Sequence, residues 1–162
     1  METGHFYFLK DEYYTTFPDK GLMGNKEEQS GQRHDRPCFY AFRDATDDIV
    51  WLIPISSQVE KYRAIYQKKM EKSGKCSTIV FGEVLGAEKA FLIQNMCPAT
   101  EKYIKEEYED RNGPVRIQAK LEKELIKKAK KCLALQRQGK IVLYTDVNNI
   151  KQTLLKELSF DP

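Results

Sequence analysis

The sequence has little of what metal centres and disulfide frameworks require. Only two histidines, His5 and His34, occur in 162 residues, and no cluster of Cys, His, Asp and Glu shows the spacing of metal ligands. The four cysteines are widely spaced and form no CxxC pair, which is typical of reduced core residues in a reducing compartment. We therefore expect no metal site and no cofactor.

Long apolar runs are also missing. No stretch reaches the roughly 18 apolar residues that a membrane-spanning helix needs, and no basic leader precedes an apolar segment at the N-terminus. The sequence thus predicts a soluble, cytoplasmic protein with no membrane partner. Its length of 162 residues and its hydrophobic content of 41% predict a single domain, residues 1–162, around one core.

Net charge is small, but its distribution is uneven. The sequence has 27 Lys and Arg against 24 Asp and Glu, so the net charge of +3 does not by itself indicate nucleic acid. Between residues 115 and 140, however, nine residues are basic and only two are acidic. On a helix from about 115 or 117 to 138, one side is apolar and the other is expected to bind RNA phosphates through Lys120, Lys123, Lys127, Lys130 and Lys131. An ordinary solvated helix face is the alternative.

Periodicity and turn residues predict an α+β fold. The predicted strands are 6–9, 38–42, 49–53, 77–84, 90–96 and 141–144. Besides the basic helix, helices are predicted at 58–72, 101–110 and about 149–158, with a short helix or turn at 11–16. Two hairpins and two separate strands among these helices indicate a strongly curved, mainly antiparallel sheet, or a small barrel-like core.

A polar stretch, residues 25–35, has the composition of an exposed loop that could carry binding residues. We expect RNA contacts from Lys26 and Arg33 in this loop, and from Arg63 in the helix at 58–72. Gly82, inside a predicted strand, suggests a bulge or a close backbone approach.

The junction from Ile53 to Lys61 is the strongest local signal for a site. An apolar run ends at Ser56 and Ser57, and the basic helix at 58–72 begins there. Ser57-x-x-Glu60 has the form of a capping box, with Ser57 as N-cap. Two hydroxyls, the first helical amides and Lys61 could then hold a phosphate. A helix cap with no further role is the alternative for Ser57.

Several segments, taken in order, resemble one known family. They are the aromatic N-terminal strand, Arg36-Pro37 at the start of a strand, Pro54-Ile55-Ser56-Ser57, and Phe91 to Pro98, which is similar to an Asn-Met-x-Pro segment. These features resemble the endoribonuclease toxins of type III toxin-antitoxin systems, the ToxN/AbiQ family, and most of all its CptN-like branch.

The resemblance implies a metal-independent endoribonuclease with a compact, curved-sheet fold. It implies cleavage of single-stranded, often adenine-containing RNA to 2′,3′-cyclic phosphate and 5′-hydroxyl ends. The implied partners are cellular or phage RNA as substrate and a small repeated pseudoknot RNA as antitoxin, which the toxin also processes and with which it forms a protein-RNA hetero-oligomer. Growth arrest or abortive infection by phage is the implied outcome.

Five residues are candidates for the chemistry of RNA cleavage. Ser56 and Ser57 are expected to hold the scissile phosphate, and Lys61 to stabilise developing charge. His34 can act as base or acid near neutrality, and Arg36 can clamp a phosphate. The chain departs from the family pattern here, because members carry a tyrosine near the position of His34 and a lysine where this chain has Cys38.

Other functions are compatible with the same residues. His34 can be an exposed loop residue and Lys61 a surface lysine. The rival function is a non-catalytic RNA-binding or ribosome-associated module in which the basic helix does the binding and the two serines are structural. A ribonuclease inhibited by a protein is a third possibility.

Overall fold

The computed structural model of the chain describes residues 1–29 and 31–160. The described residues form the strands β1 (Phe6–Leu9), β2 (Lys26–Gln29), β3 (Gln32–Asp35), β4 (Cys38–Arg43), β5 (Val50–Ser56), β6 (Ile79–Val84), β7 (Ala87–Leu92), β8 (Cys97–Ala99), β9 (Ile104–Glu107), β10 (Glu109–Asp110) and β11 (Gly113–Pro114). They also form the helices α1 (Asp11–Thr16), α2 (Val59–Ser73), α3 (Ala119–Arg137) and α4 (Val147–Phe160). None of these helices, within the described ranges, is long and apolar enough to cross a membrane.

Seven strands form one antiparallel sheet. Its order is β6-β7-β5-β4-β1-β9, and β8 pairs with β5 beside β7. The α+β class with an antiparallel sheet is therefore confirmed. The prediction of a barrel-like core is wrong, because within residues 1–29 and 31–160 no backbone hydrogen bonds pair the edge strands β6 and β9. Register shifts in β1 and β4 mark irregularities at which strands bend.

The core lies between this sheet and the helices. All seven residues of β5 are buried, as expected for a strand with neighbours on both edges and packing on both faces. Helix α3 packs against the core through its apolar side, at Leu125, Ala129, Cys132 and Leu133. A Cβ at Gly82 would lie 2.2 Å from a methyl group of Leu121, so glycine permits the close approach of α3 to β6.

Three predicted elements are wrong. Residues 25–35 are not a loop, since β2 and β3 form a separate antiparallel hairpin. Residues 101–110 are not a helix: a 3₁₀ turn at Glu101–Tyr103 leads into β9, whose backbone pairs with β1 at the sheet edge. Residues 141–144 form no strand, because the amides of Val142 and Leu143 bond the Gln136 side chain instead of a neighbouring strand.

Candidate active site

A cleft of about 590 Å³ lies beside the β2–β3 hairpin. The hairpin lines it with Glu27, Arg33 and His34, and β7 lines it with Lys89. Phe8, Ile55 and Tyr108 add apolar and aromatic surface. Its volume is within the range of about 300–1,000 Å³ that is usual for small-molecule sites. A nucleotide is thus small enough to enter it.

The Glu27 carboxylate meets the junction between β5 and α2. Its Oε1 accepts hydrogen bonds from the amide of Ser57 at 2.7 Å, the hydroxyl of Ser57 at 2.8 Å and the hydroxyl of Ser56 at 3.2 Å. The junction that the sequence predicts to hold an anion therefore does hold one, and that anion is a side chain of the same protein. Amide and hydroxyl donors directed at one carboxylate oxygen stabilise its charge.

The predicted capping box does not form. Helix α2 begins at Val59, its N-cap is Gln58, and no side chain of the described residues caps it. The Ser57 hydroxyl donates to Glu27, whereas the Ser56 hydroxyl oxygen accepts from the amide of Gln58 at 3.1 Å. The reason is position: Ser57 lies one residue before the N-cap, so its hydroxyl oxygen is not placed to accept from the amides of the first turn.

Arg36 is buried, with 7% of its surface exposed. Its Nε donates to the carbonyl of Gly24 at 2.9 Å, and its Nη1 donates to the carbonyl of Ile55 at 2.8 Å. Nη1 also lies 3.6 Å from Oε1 of Glu27. The guanidinium thus joins the base of the hairpin to the end of β5, and it compensates the charge of the partly buried Glu27 carboxylate.

His34 lies directly opposite Glu27 in the register of the hairpin. Side chains opposite each other in an antiparallel pair project from the same face, with Cβ atoms about 5 Å apart. Both residues line the cleft, and His34 is exposed. An imidazole and a carboxylate are therefore neighbours in one concave site.

The predicted cations are not all in the cleft. Lys61 is exposed on α2, with Nζ 5.3 Å from the ring centroid of Tyr62, and it is not among the described residues that line the cleft. Lys26 is paired with Asp35 on the same hairpin. Arg63 pairs with Glu88 and lies over the Phe81 ring. Arg33 alone of the predicted hairpin and α2 cations lines the cleft.

Asp35 attaches the hairpin to the main sheet. It accepts a hydrogen bond from Lys105 of β9 at 2.7 Å and is paired with Lys26. The hydrogen bond from Lys105, and to a smaller extent that from Lys26, holds the pKa of the Asp35 carboxyl below its ordinary value. The hairpin is thus bound to the sheet by charge as well as through Arg36.

The basic side of α3 forms a second surface. A groove of about 490 Å³ is lined by Lys120, Lys123, Lys127 and Lys131 together with Ser77. These four lysines follow one another at three- and four-residue steps, so they form one stripe. Lys130 is outside the stripe, with Nζ 5.3 Å from the centroid of the Phe42 ring. Four of the five predicted lysines therefore share one surface.

The fold has a counterpart among solved structures. The chain is similar to AbiQ, a lactococcal anti-phage endoribonuclease belonging to the type III toxin-antitoxin system, with a TM-score of 0.69 and 12% identity over 98% of this chain and 99% of that one. This chain has the fold of AbiQ. No family model and no curated protein matches the sequence. The resemblance drawn from the sequence is therefore confirmed at the level of the fold.

Two polar residues of the site are not identified by sequence reasoning. Glu27 is one of several charged residues in a polar segment, and only docking of the hairpin brings it to Ser57. Lys89 precedes Ala90, which pairs with Ser56, so the register of β5 and β7 places it near the junction. A correct strand alignment could have found Lys89, but no local signal identifies Glu27.

Within residues 1–29 and 31–160, no group of three or more His, Cys, Asp or Glu side chains is arranged to hold a metal ion.

Proposed function

We propose that this protein is a single-domain endoribonuclease toxin of a type III toxin-antitoxin system. The observation that carries the proposal is the cleft beside Ser56 and Ser57, which is lined by His34, Arg33 and Lys89. The chain also has the fold of an endoribonuclease of that class. An imidazole can transfer protons near neutral pH, and the two cations match the charge of a phosphodiester. These groups are what RNA cleavage by internal attack of the 2′-hydroxyl requires.

In this proposal, the scissile phosphate binds in the cleft next to the junction. Ser56, Ser57 and Arg36 hold the Glu27 carboxylate at the wall of the cleft, Arg33 and Lys89 supply positive charge, and His34 transfers a proton. Lys61 and the stripe on α3 bind the RNA backbone farther along. Cleavage proceeds without a metal ion and leaves 2′,3′-cyclic phosphate and 5′-hydroxyl ends.

The proposed partners are RNA molecules. A small repeated pseudoknot RNA inhibits the toxin, is processed by it and joins it in a hetero-oligomer, and the substrates are single-stranded, often adenine-containing cellular or phage RNA in the cytoplasm. The CptN-like branch is the proposed place within the ToxN/AbiQ family. RNA that co-purifies with the protein, when sequenced and end-mapped, would report both the repeat unit and the cut site.

The test of this function is cleavage by purified protein in EDTA. We expect cleavage of single-stranded RNA to cyclic phosphate and 5′-hydroxyl ends, and Ser57→Ala should lower kcat by about 10²-fold because it removes a hydroxyl that holds the Glu27 carboxylate in place at the wall of the cleft. RNA binding should persist. Ser159→Ala, which removes an exposed hydroxyl on α4, is the matched control.

Two results would contradict the proposal. Loss of cleavage on chelation would exclude the metal-independent mechanism. Binding without cleavage in the wild type, unaffected by Ser57→Ala, would favour the non-catalytic RNA-binding module, for which the groove along α3 would suffice.

A further inference from the structure

Glu27 has a place in the cleft that the proposed function does not explain. We propose that its carboxylate is the general base that removes the proton from the 2′-hydroxyl, an inference that rests on the proposed ribonuclease function. Neither Ser56 nor Ser57 can take this role, because a serine hydroxyl does not ordinarily accept a proton at neutral pH. A carboxylate can.

The two oxygens of Glu27 have different surroundings. Oε1 is held by the Ser57 amide and by both serine hydroxyls, with Arg36 beside it. Oε2 accepts no hydrogen bond from the part of the chain that the structure describes, and Glu27 lines the cleft. One oxygen thus fixes the position of the carboxylate, and the other is available to a substrate hydroxyl.

His34 completes the pair. Because it lies opposite Glu27 in the hairpin and lines the same cleft, a phosphodiester bound between the two side chains would place one of them near each reacting oxygen. Their relation does not depend on a long loop, since a single cross-strand pair sets it.

The step balances with these two residues alone. The 2′-hydroxyl gives its proton to Oε2 of Glu27, and its oxygen forms a bond to phosphorus. The bond from phosphorus to the 5′-oxygen breaks, and the protonated imidazole of His34 gives its proton to that oxygen. The products are the cyclic phosphate and the 5′-hydroxyl, and solvent returns both residues to their starting states.

Glu27 could instead occupy the phosphate site until the substrate displaces it, as a plug. The contacts of the hairpin favour a fixed general base over such a plug. To withdraw Glu27, the hairpin would have to lose the hydrogen bond from Nη1 of Arg36 to the Ile55 carbonyl at 2.8 Å, and Glu27 would lose its bonds from Ser56 and Ser57. The hairpin would also lose the link from Lys105 to Asp35 at 2.7 Å. A carboxylate retained in this way is a fixed part of the site.

The pH dependence of cleavage would reflect all the charged groups near Glu27 and His34. The titratable and charged groups that face the pair from the hairpin, β7 and the β9 side are Arg33, Asp35, Arg36, Lys89, Glu106 and Tyr108. From α2, the Tyr62 phenol also interacts with the charge of Glu27. These residues are unchanged in the variants compared below, and Glu28→Gln controls for the loss of one negative charge.

Glu27→Gln is the decisive variant, because glutamine can still accept the serine hydrogen bonds but is not a base. We expect kcat to fall by about 10²- to 10⁴-fold. RNA affinity should change by no more than about threefold, which leaves binding essentially intact. The fall of kcat at low pH, the acidic limb of the pH profile, should disappear in Glu27→Gln and survive at a lower rate in Glu27→Asp. The fall of kcat at high pH, the basic limb, should disappear in His34→Ala.

Glu28→Gln, the exposed neighbour on the same strand, is the charge-matched control and should cleave as the wild type does.

The outcomes separate the two claims. A Glu27→Gln protein that cleaves or binds RNA better than the wild type would show a plug and overturn the base, as would a slower variant that keeps the acidic limb. Both results leave the ribonuclease function in place. A wild-type protein that cleaves no RNA would overturn that function, and the base with it.

Discussion

At the scale of single residues, the geometry of the site depends on Arg36. Its guanidinium contacts the carbonyls of Gly24 and Ile55 and the carboxylate of Glu27, and only a small fraction of the residue is exposed. Because one side chain joins the hairpin, the end of β5 and the buried carboxylate, its removal affects all three. An arginine expected to clamp a phosphate is thus committed to bonds within the protein.

Arg36→Met should lower the free energy of unfolding by about 3 kcal/mol, since it leaves the partly buried Glu27 carboxylate without its cation and two carbonyls without a donor. Urea denaturation measures the change. Arg111→Met, at an exposed turn, removes the same charge and should change stability by less than about 0.5 kcal/mol. Equal effects of the two substitutions would show that the contacts of Arg36 contribute nothing to stability.

Cysteine reactivity is also decided residue by residue. Burial raises the pKa of the Cys97 thiol to about 12 and raises that of Cys38, so neither forms a thiolate readily. Cys76 is the partly exposed cysteine of the four. The expectation of reduced core thiols therefore fits Cys38, Cys97 and Cys132 better than Cys76.

At the scale of elements, the hairpin carries both proposed proton-transfer residues but pairs with no strand of the main sheet among those described. A two-stranded hairpin is marginal by itself in water. The stability of this one therefore comes from its anchors, which are Arg36, the contacts of Glu27 and the ion pairs of Asp35.

Asp35→Asn tests the charged anchor. The pKa of Asp35 is lowered in the folded state, so its contribution is present above the ordinary value of 3.8 and is lost as the pH falls through the lowered folded value. At pH 7 we expect the variant to be less stable by about 1 kcal/mol, a modest value because both lysine partners are partly exposed. Thermal unfolding from pH 7 to pH 2 should show this difference disappearing at the acidic end.

Glu109→Gln is the control, because Glu109 is exposed and makes no ion pair among the residues that the structure describes. Its stability should follow that of the wild type at each pH. A difference between Asp35→Asn and the wild type that persisted at pH 2 would mean that hydrogen bonding or packing, not charge, explains the effect.

Elements with a clear local pattern could be predicted from the sequence. Helices α2 and α3 lie within a few residues of their predicted bounds, because apolar residues recur at helical spacing and glycine follows each helix. The hairpin could not be predicted, since all four residues of β3 are at least partly exposed and its composition is that of a loop. The strand β9 was mistaken for a helix for the same reason: an edge strand rich in Lys and Glu has no apolar alternation.

The site was predictable only in part. Of the four predicted residues, His34 lines the cleft, whereas Ser56, Ser57 and Arg36 contact Glu27, which lines it. Their chemistry was assigned on the assumption that the anion would come from outside, because a contact between Glu27 and Ser57 spans 30 residues. No periodicity or spacing rule reports such a contact. Only the docked hairpin does.

At the scale of the whole molecule, a modest net charge of +3 is divided between two surfaces of different character. The cleft combines both signs, with Glu27, Asp35 and Glu106 facing Arg33 and Lys89. The groove on α3 is lined by five lysines and a single carboxylate, that of Glu124. A polyanion is therefore attracted chiefly by the groove, while the cleft provides the groups for chemistry.

This separation predicts that RNA affinity and cleavage can be changed independently. Replacing Lys120, Lys123 and Lys127 by Gln should weaken RNA binding and lower the slope of log K against log salt by about 2, since each phosphate contact to a single strand contributes about 0.7. The kcat at saturating RNA should stay close to that of the wild type, because the cleft is unchanged. A salt titration of RNA binding measures the change in slope, and single-turnover cleavage at saturating RNA measures the catalytic rate. Replacing the exposed Lys20, Lys68 and Lys156, none of which lines the groove, removes the same total charge, so it should affect the slope much less. Equal slopes for the two triple variants would mean that RNA responds to net charge alone and that α3 is an ordinary solvated helix.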